Sequence, residues 1–194
     1  MANASDIDWS TAAVLIMDYQ NDIIGMQPVE KQKLLLDNAS AILSAARGKG
    51  VPVIYVVVRF REGYPEVSEQ NKAFRQLKGS GRLIEATPGA AIHTRLAPLA
   101  GEIVVTKRRV GAFSSIELEA VLRAKKISTL ILLGISTSGV VLSTVRWATD
   151  MDYSLFVISD ACADQDEEVH RVLAEKVFPR QCTVMTTQDL AASI

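Results

Sequence analysis

Three strand-like runs in this chain end on polar residues of types that can do chemistry. Asp18 follows Val14-Leu15-Ile16-Met17 and opens the sequence Asp18-Tyr19-Gln20-Asn21-Asp22. A carboxylate there braces the following turn or moves a proton. Lys107 follows Ile103-Val104-Val105-Thr106 in the same way, shortly before Gly111-Ala112-Phe113. Its ammonium is either a solvated charge beside Arg108 and Arg109 or a partner that sets a carboxylate's charge state. The third segment, Gly134-Ile135-Ser136-Thr137-Ser138-Gly139, follows Leu130-Ile131-Leu132-Leu133 and leads into a helical pattern. Small and hydroxyl residues at such a turn cap the helix, and their amides also form a ready anion or oxyanion site. Arg59, behind Val56-Val57-Val58, could grip a substrate carboxylate through both arms of its guanidinium, or serve in a structural ion pair.

These residues need a scaffold, and the apolar runs supply one. Ala12 to Met17, Pro52 to Val58, Ile127 to Leu133 and Tyr153 to Ile158 lack polar alternation, as strands covered on both faces do. Glu102 to Thr106 reads as a fifth strand and Cys182 to Met185 as a sixth. Between them, helical spacing runs over Lys31 to Lys49, Ser115 to Lys125, Ser138 to Met151 and Glu167 to Phe178. The alternation predicts a single three-layer α/β/α domain spanning 1–194, with helices on both faces of a mostly parallel sheet of about six strands. Such sheets bind ligands at the carboxyl ends of their strands, where Asp18, Lys107 and the 134–139 segment fall. The stretch from Arg59 to Gly89 is irregular and rich in Gly and Pro, and could carry a lid or a subunit contact.

Composition narrows the partners. A formal net charge of −1 leaves no basic field for nucleic acid, and the longest apolar runs are strand-sized, too short to span a membrane. Met1 to Ser10 does not read as a secretory signal, so the expected location is cytoplasmic and the expected partner a small-molecule substrate. Two cysteines, Cys162 and Cys182, lack metal-ligand spacing and read as packed thiols; His93 and His170 stand apart from each other, so neither metal nor cofactor is expected.

Taken together the three segments resemble the isochorismatase-like (cysteine hydrolase) superfamily. Ala13 to Asp22 looks like its opening strand, Val104 to Phe113 like its second motif, and Gly134 to Thr144 like its third; similarity continues through Ser159-Asp160-Ala161-Cys162-Ala163 to about Val184. The resemblance implies a Rossmann-like sheet and a homodimer or homotetramer that hydrolyses small amides, or a vinyl ether in the isochorismatases proper. It makes Asp18 the acid/base and Lys107 its neighbour, and assigns substrate binding to Ser136, Thr137, Gly139, Val140 and Phe113, with Arg59 a further candidate. It also implies a cis peptide at Ile135-Ser136.

One departure bears on mechanism. The place of the family's nucleophilic cysteine holds Val140, so thioester chemistry is not expected, and isochorismatases proper, which have glycine there, rely on the aspartate. Two rival readings stand beside Asp/Lys acid-base hydrolysis. One is an inactive small-molecule binder of the same fold. The other is a serine nucleophile elbow at Gly134-Ile135-Ser136-Thr137-Ser138, served by His170 with Asp160 or Asp164.

Overall fold

Runs of Val, Ile and Leu pair side by side here because both of their faces can be covered. In the computed structural model, which describes residues 6–193, six strands form one sheet: β1 (Ala12–Met17), β2 (Val53–Val58), β3 (Ile103–Lys107), β4 (Thr129–Ile135), β5 (Ser154–Ala163) and β6 (Thr183–Met185). Every pairing is parallel and the spatial order is β3-β2-β1-β4-β5-β6. All residues of β1, β2 and β4 are buried, which accounts for their uninterrupted apolar composition.

Alternate residues of β1 point to opposite faces. Ala12, Val14 and Ile16 pack with Leu35, Ala39, Ile42 and Leu43 of α2 (Val29–Gly48), whereas Ala13, Leu15 and Met17 pack with Leu118 and Leu122 of α4 (Ile116–Ala124) and Val145 and Ala148 of α5 (Leu142–Asp150). Each such Leu or Ile contributes roughly 1.5–3 kcal/mol by leaving water. The result is helix, sheet, helix. Shorter helices complete the chain: α1 (Asn21–Ile24), α3 (Lys72–Arg75), α6 (Glu167–Val172) and α7 (Thr187–Ala191).

The strand order reverses between β1 and β4, since β1 continues to β2 on one side and β4 starts the other half of the sheet. An open crevice forms at the carboxyl ends of the strands flanking such a point. Asp18 immediately follows β1, and the cis Ile135-Ser136 peptide ends β4. A third, smaller apolar cluster of Val58, Phe60, Tyr64, Val67 and Leu83 lies under the irregular 60–84 segment and gives it a core of its own. No helix among the described residues is long and apolar enough to cross a membrane.

Candidate active site

Asp18 leaves β1 in the left-handed region, φ 60°, with its amide donating to the Val56 carbonyl at 2.8 Å. That conformation is sparsely populated for residues with a Cβ, and such residues concentrate where function over-determines the backbone. The turn aims the carboxylate sideways across the end of β2. Lys107, the last residue of β3 and in register with Val58, meets it there. Its ammonium donates to Asp18 Oδ2 at 2.8 Å and to the Arg109 carbonyl at 3.2 Å. The two side chains are 6% and 1% exposed, so the ion pair is almost wholly desolvated.

Burial and the neighbouring charge pull Asp18 in opposite directions. Loss of water pushes the Asp18 carboxyl above its ordinary range, and the Lys107 ammonium only partly opposes that shift. The second carboxyl oxygen, Oδ1, is buried and has no hydrogen-bond partner. A buried acid with raised affinity for its proton and one uncommitted oxygen has the features of a proton donor.

The third side of the site is the turn after β4. Ser136 caps it, its Oγ accepting from the Gly139 amide at 3.1 Å, and Thr137–Val141 forms a single π-helical turn before α5. Asp164, just beyond β5, accepts from the Ser138 amide at 2.7 Å and the Gln165 amide at 2.9 Å. Val140 is 2% exposed and its carbonyl accepts from the Thr144 hydroxyl at 2.6 Å. Gly134 lies beneath it, where an added Cβ would stand 3.2 Å from Val140 Cγ1 and 3.1 Å from Met17 Cβ.

A cavity of about 530 Å³ opens over these groups. It brings together Asp18, Lys107, Ser136, Gly139 and Val140 of the residues selected from sequence. Arg59, Phe113 and Thr137 do not line it. The Arg59 guanidinium donates to the Ala90 carbonyl at 3.2 Å; the Phe113 ring packs 6.1 Å from that of Tyr153; Thr137 is fully buried and hydrogen-bonds His170 Nδ1 at 2.8 Å. That last contact also takes His170 to a threonine, while the Ser136 hydroxyl serves the Gly139 amide, so the parts of a serine triad are not assembled. Burial pushes both Cys162 and Cys182 thiols up to about 12, which keeps them protonated and unreactive at neutral pH. Among the described residues, no group of three or more His, Cys, Asp or Glu side chains is arranged to hold a metal ion.

Two features escaped the sequence reading. Gln20, fully buried, donates to the Val58 and Ala90 carbonyls at 2.9 Å each and accepts from the Val58 amide at 2.8 Å, which ties the irregular segment to the end of β2. Arg82 reaches the cavity from that same segment. The first carries a weak signal, an amide inside a buried strand exit; the second carries none, because its surroundings have no periodicity.

The sequence of the chain matches the isochorismatase domain over residues 12–189. It is 29% identical, over the whole of both chains, to an uncharacterized isochorismatase family protein of Bacillus subtilis. Identity is 30% to a probable isochorismatase of Pseudomonas chlororaphis, over 95% of this chain and 86% of that one. Among solved structures, an isochorismatase family protein from Desulfovibrio vulgaris superposes with a TM-score of 0.83 at 27% identity, covering 94% of this chain and 97% of that one.

Proposed function

Because the chain belongs to the isochorismatase family of hydrolases, we propose that it hydrolyses a small enol ether by proton transfer from Asp18, without a covalent thiol intermediate. The observation that supports this most is the desolvated Asp18–Lys107 pair, 2.8 Å apart, on the cavity wall. Asp18 gives its proton to the terminal carbon of the vinyl group, and the ether oxygen shares its lone pair to form an oxocarbenium ion. Water adds to that cation and returns a proton to the Asp18 carboxylate; the resulting hemiketal expels an alcohol and leaves a ketone. Lys107 lowers the cost of the carboxylate that exists between the two transfers.

Amides at the entrance of the π-helical turn assist wherever negative charge gathers on oxygen. Those of Ser138 and Gly139 are committed to Asp164 and Ser136, which narrows that role to the cavity-lining Ser136 and Val140. A valine in the nucleophile's place argues against amide hydrolysis through a thioester, and neither cysteine compensates, since neither lines the cavity. The enzyme works as a homodimer or homotetramer in this reading, as the resemblance implies.

Asp18→Asn tests the proposal against a panel of small enol ethers. Turnover falls by roughly 10²–10⁴-fold, the usual worth of a positioned proton donor, while the asparagine oxygen still accepts from Lys107 and the fold is kept. Full turnover in this variant refutes the mechanism. The second reading, an inactive binder, rests on the bulk of the buried Val140 side chain; it predicts ligand-induced thermal stabilisation of the wild-type chain with no turnover of either enol ethers or amides.

A further inference from the structure

The charges around the cavity are unequal in their commitments. The Lys107 ammonium is committed to Asp18 and the Arg109 carbonyl, and Asp164 is engaged by two backbone amides. Arg82 is different. It lines the same cavity, half-buried, and its guanidinium donates through one terminal nitrogen to the Asp22 carbonyl at 2.7 Å. Among the described residues it forms no ion pair, unlike Arg47, Arg61, Arg95, Arg108, Arg123 and Arg171. The donor on the opposite side of that planar group has no acceptor among the described residues, and a guanidinium presents its donors in a fork that matches a carboxylate.

The guanidinium is also held in place. Asp22 accepts from the Leu83 amide at 2.8 Å, its own amide donates to the Gly89 carbonyl at 2.9 Å, and Gly89 approaches so closely that a Cβ there would collide with the Asp22 carboxylate. Asn21 adds a bond from its side-chain amide to the Pro88 carbonyl at 2.8 Å. Helix α1 thus clamps both ends of the segment that carries Arg82. Near it the cavity wall is apolar, with Phe74, Leu77 and Leu83.

We infer that Arg82 is a specificity-determining residue that binds a carboxylate on the substrate, so that the natural substrate is a small anion with an apolar body. The inference deepens the proposed hydrolase reading and rests on it for the word substrate, but its geometry is independent of Asp18. An anionic ligand gains the uncompensated positive charge, and the apolar wall covers the rest of the molecule. A neutral isostere gains only the second of these.

The test compares cyclohex-1-ene-1-carboxylate with cyclohex-1-ene-1-carboxamide by titration calorimetry, using the full chain, Arg82→Gln and Arg82→Lys. Wild-type protein binds the carboxylate about 10- to 100-fold more tightly than the carboxamide, the span expected of a charge-assisted bidentate contact. Arg82→Gln loses that preference while its affinity for the carboxamide and its melting temperature stay unchanged; Arg82→Lys keeps part of it, having the charge without the fork. Equal binding of the two probes by wild type, no binding of the carboxylate, or a preference that survives in Arg82→Gln each overturns the inference. Running the same titrations in Asp18→Asn separates the two proposals: retained turnover there sinks the hydrolase mechanism, whereas the carboxylate preference depends on Arg82 alone.

Discussion

At the scale of single residues, the site is a contest between desolvation and an ion pair. Taken from sequence, the ammonium of Lys107 is expected to favour the Asp18 carboxylate; in the folded chain burial outweighs it and the acid holds its proton more firmly. Activity that depends on protonated Asp18 declines as pH rises through that raised pKa. Lys107→Met removes the one influence from a neighbouring charge that holds the value down. The alkaline limb of the pH–rate profile therefore moves to higher pH, on top of a lower maximal rate because the transient carboxylate loses its counter-charge. A limb that stays put, or moves to lower pH, assigns the titration to some other group. The positive φ of Asp18 belongs to the same picture, since this backbone setting, not the side chain's length, turns the carboxylate across β2 toward Lys107.

At the scale of elements, a side-chain amide does work that backbone ladders do elsewhere. Gln20 satisfies the Val58 amide and two carbonyls in a place no strand reaches. Gln20→Leu leaves the Val58 amide and carbonyl unpaired, while the Ala90 carbonyl keeps its bond from Arg59; at about 1–3 kcal/mol for each orphaned group, guanidinium-chloride unfolding should show a loss of at least about 2 kcal/mol, and an unchanged midpoint would mean that the segment closes without it. The strands were legible in the sequence because doubly covered strands are nearly unbroken apolar runs: Ala12 to Met17 coincides with β1, and the others differ by a residue or two at most ends. The largest discrepancy is β5, which continues past Ile158 to Ala163 through Ser159 and Asp160 after a shift of register opposite Leu132 and Gly134. Polar residues inside a strand look like its end when only hydrophobicity is read. The helix expected from Ser138 begins with the π-helical turn and continues as α5, and that expected over Glu167 to Phe178 is α6 followed by a second such turn at Leu173–Val177. Spacing of apolar residues over so short a stretch does not separate one helical pitch from another. Arg82 was invisible for a plainer reason: the fold of residues 59–92 depends on Gln20, Asn21 and Asp22, some 40 to 70 residues away in sequence.

At the scale of the whole molecule, the two members of the ion pair come from unequal positions. Asp18 follows a central strand, whereas Lys107 ends β3, an edge strand, so its place depends on keeping that edge docked. Arg47, in the last turn of α2, supplies the clamp: it meets both oxygens of Glu102 at 2.8 Å, just ahead of β3, and also donates to the Tyr55 hydroxyl at 3.1 Å and the Ala97 carbonyl at 3.2 Å. The hydrogen bonds from Arg47 hold the Glu102 carboxyl below its ordinary value of 4.5. A depressed carboxylate pKa contributes stability that is fully present above the unfolded value and is lost as pH falls through the folded one. Glu102→Gln removes the charge and keeps the shape, so near neutral pH it should cost about 1–3 kcal/mol in chemical denaturation. Because wild-type Glu102 itself becomes neutral in acid, the gap between the two proteins should close as pH drops below about 4.5. A gap that stays constant through this range would place the clamp's energy in packing and not in charge, and the edge strand bearing Lys107 would then be indifferent to acid.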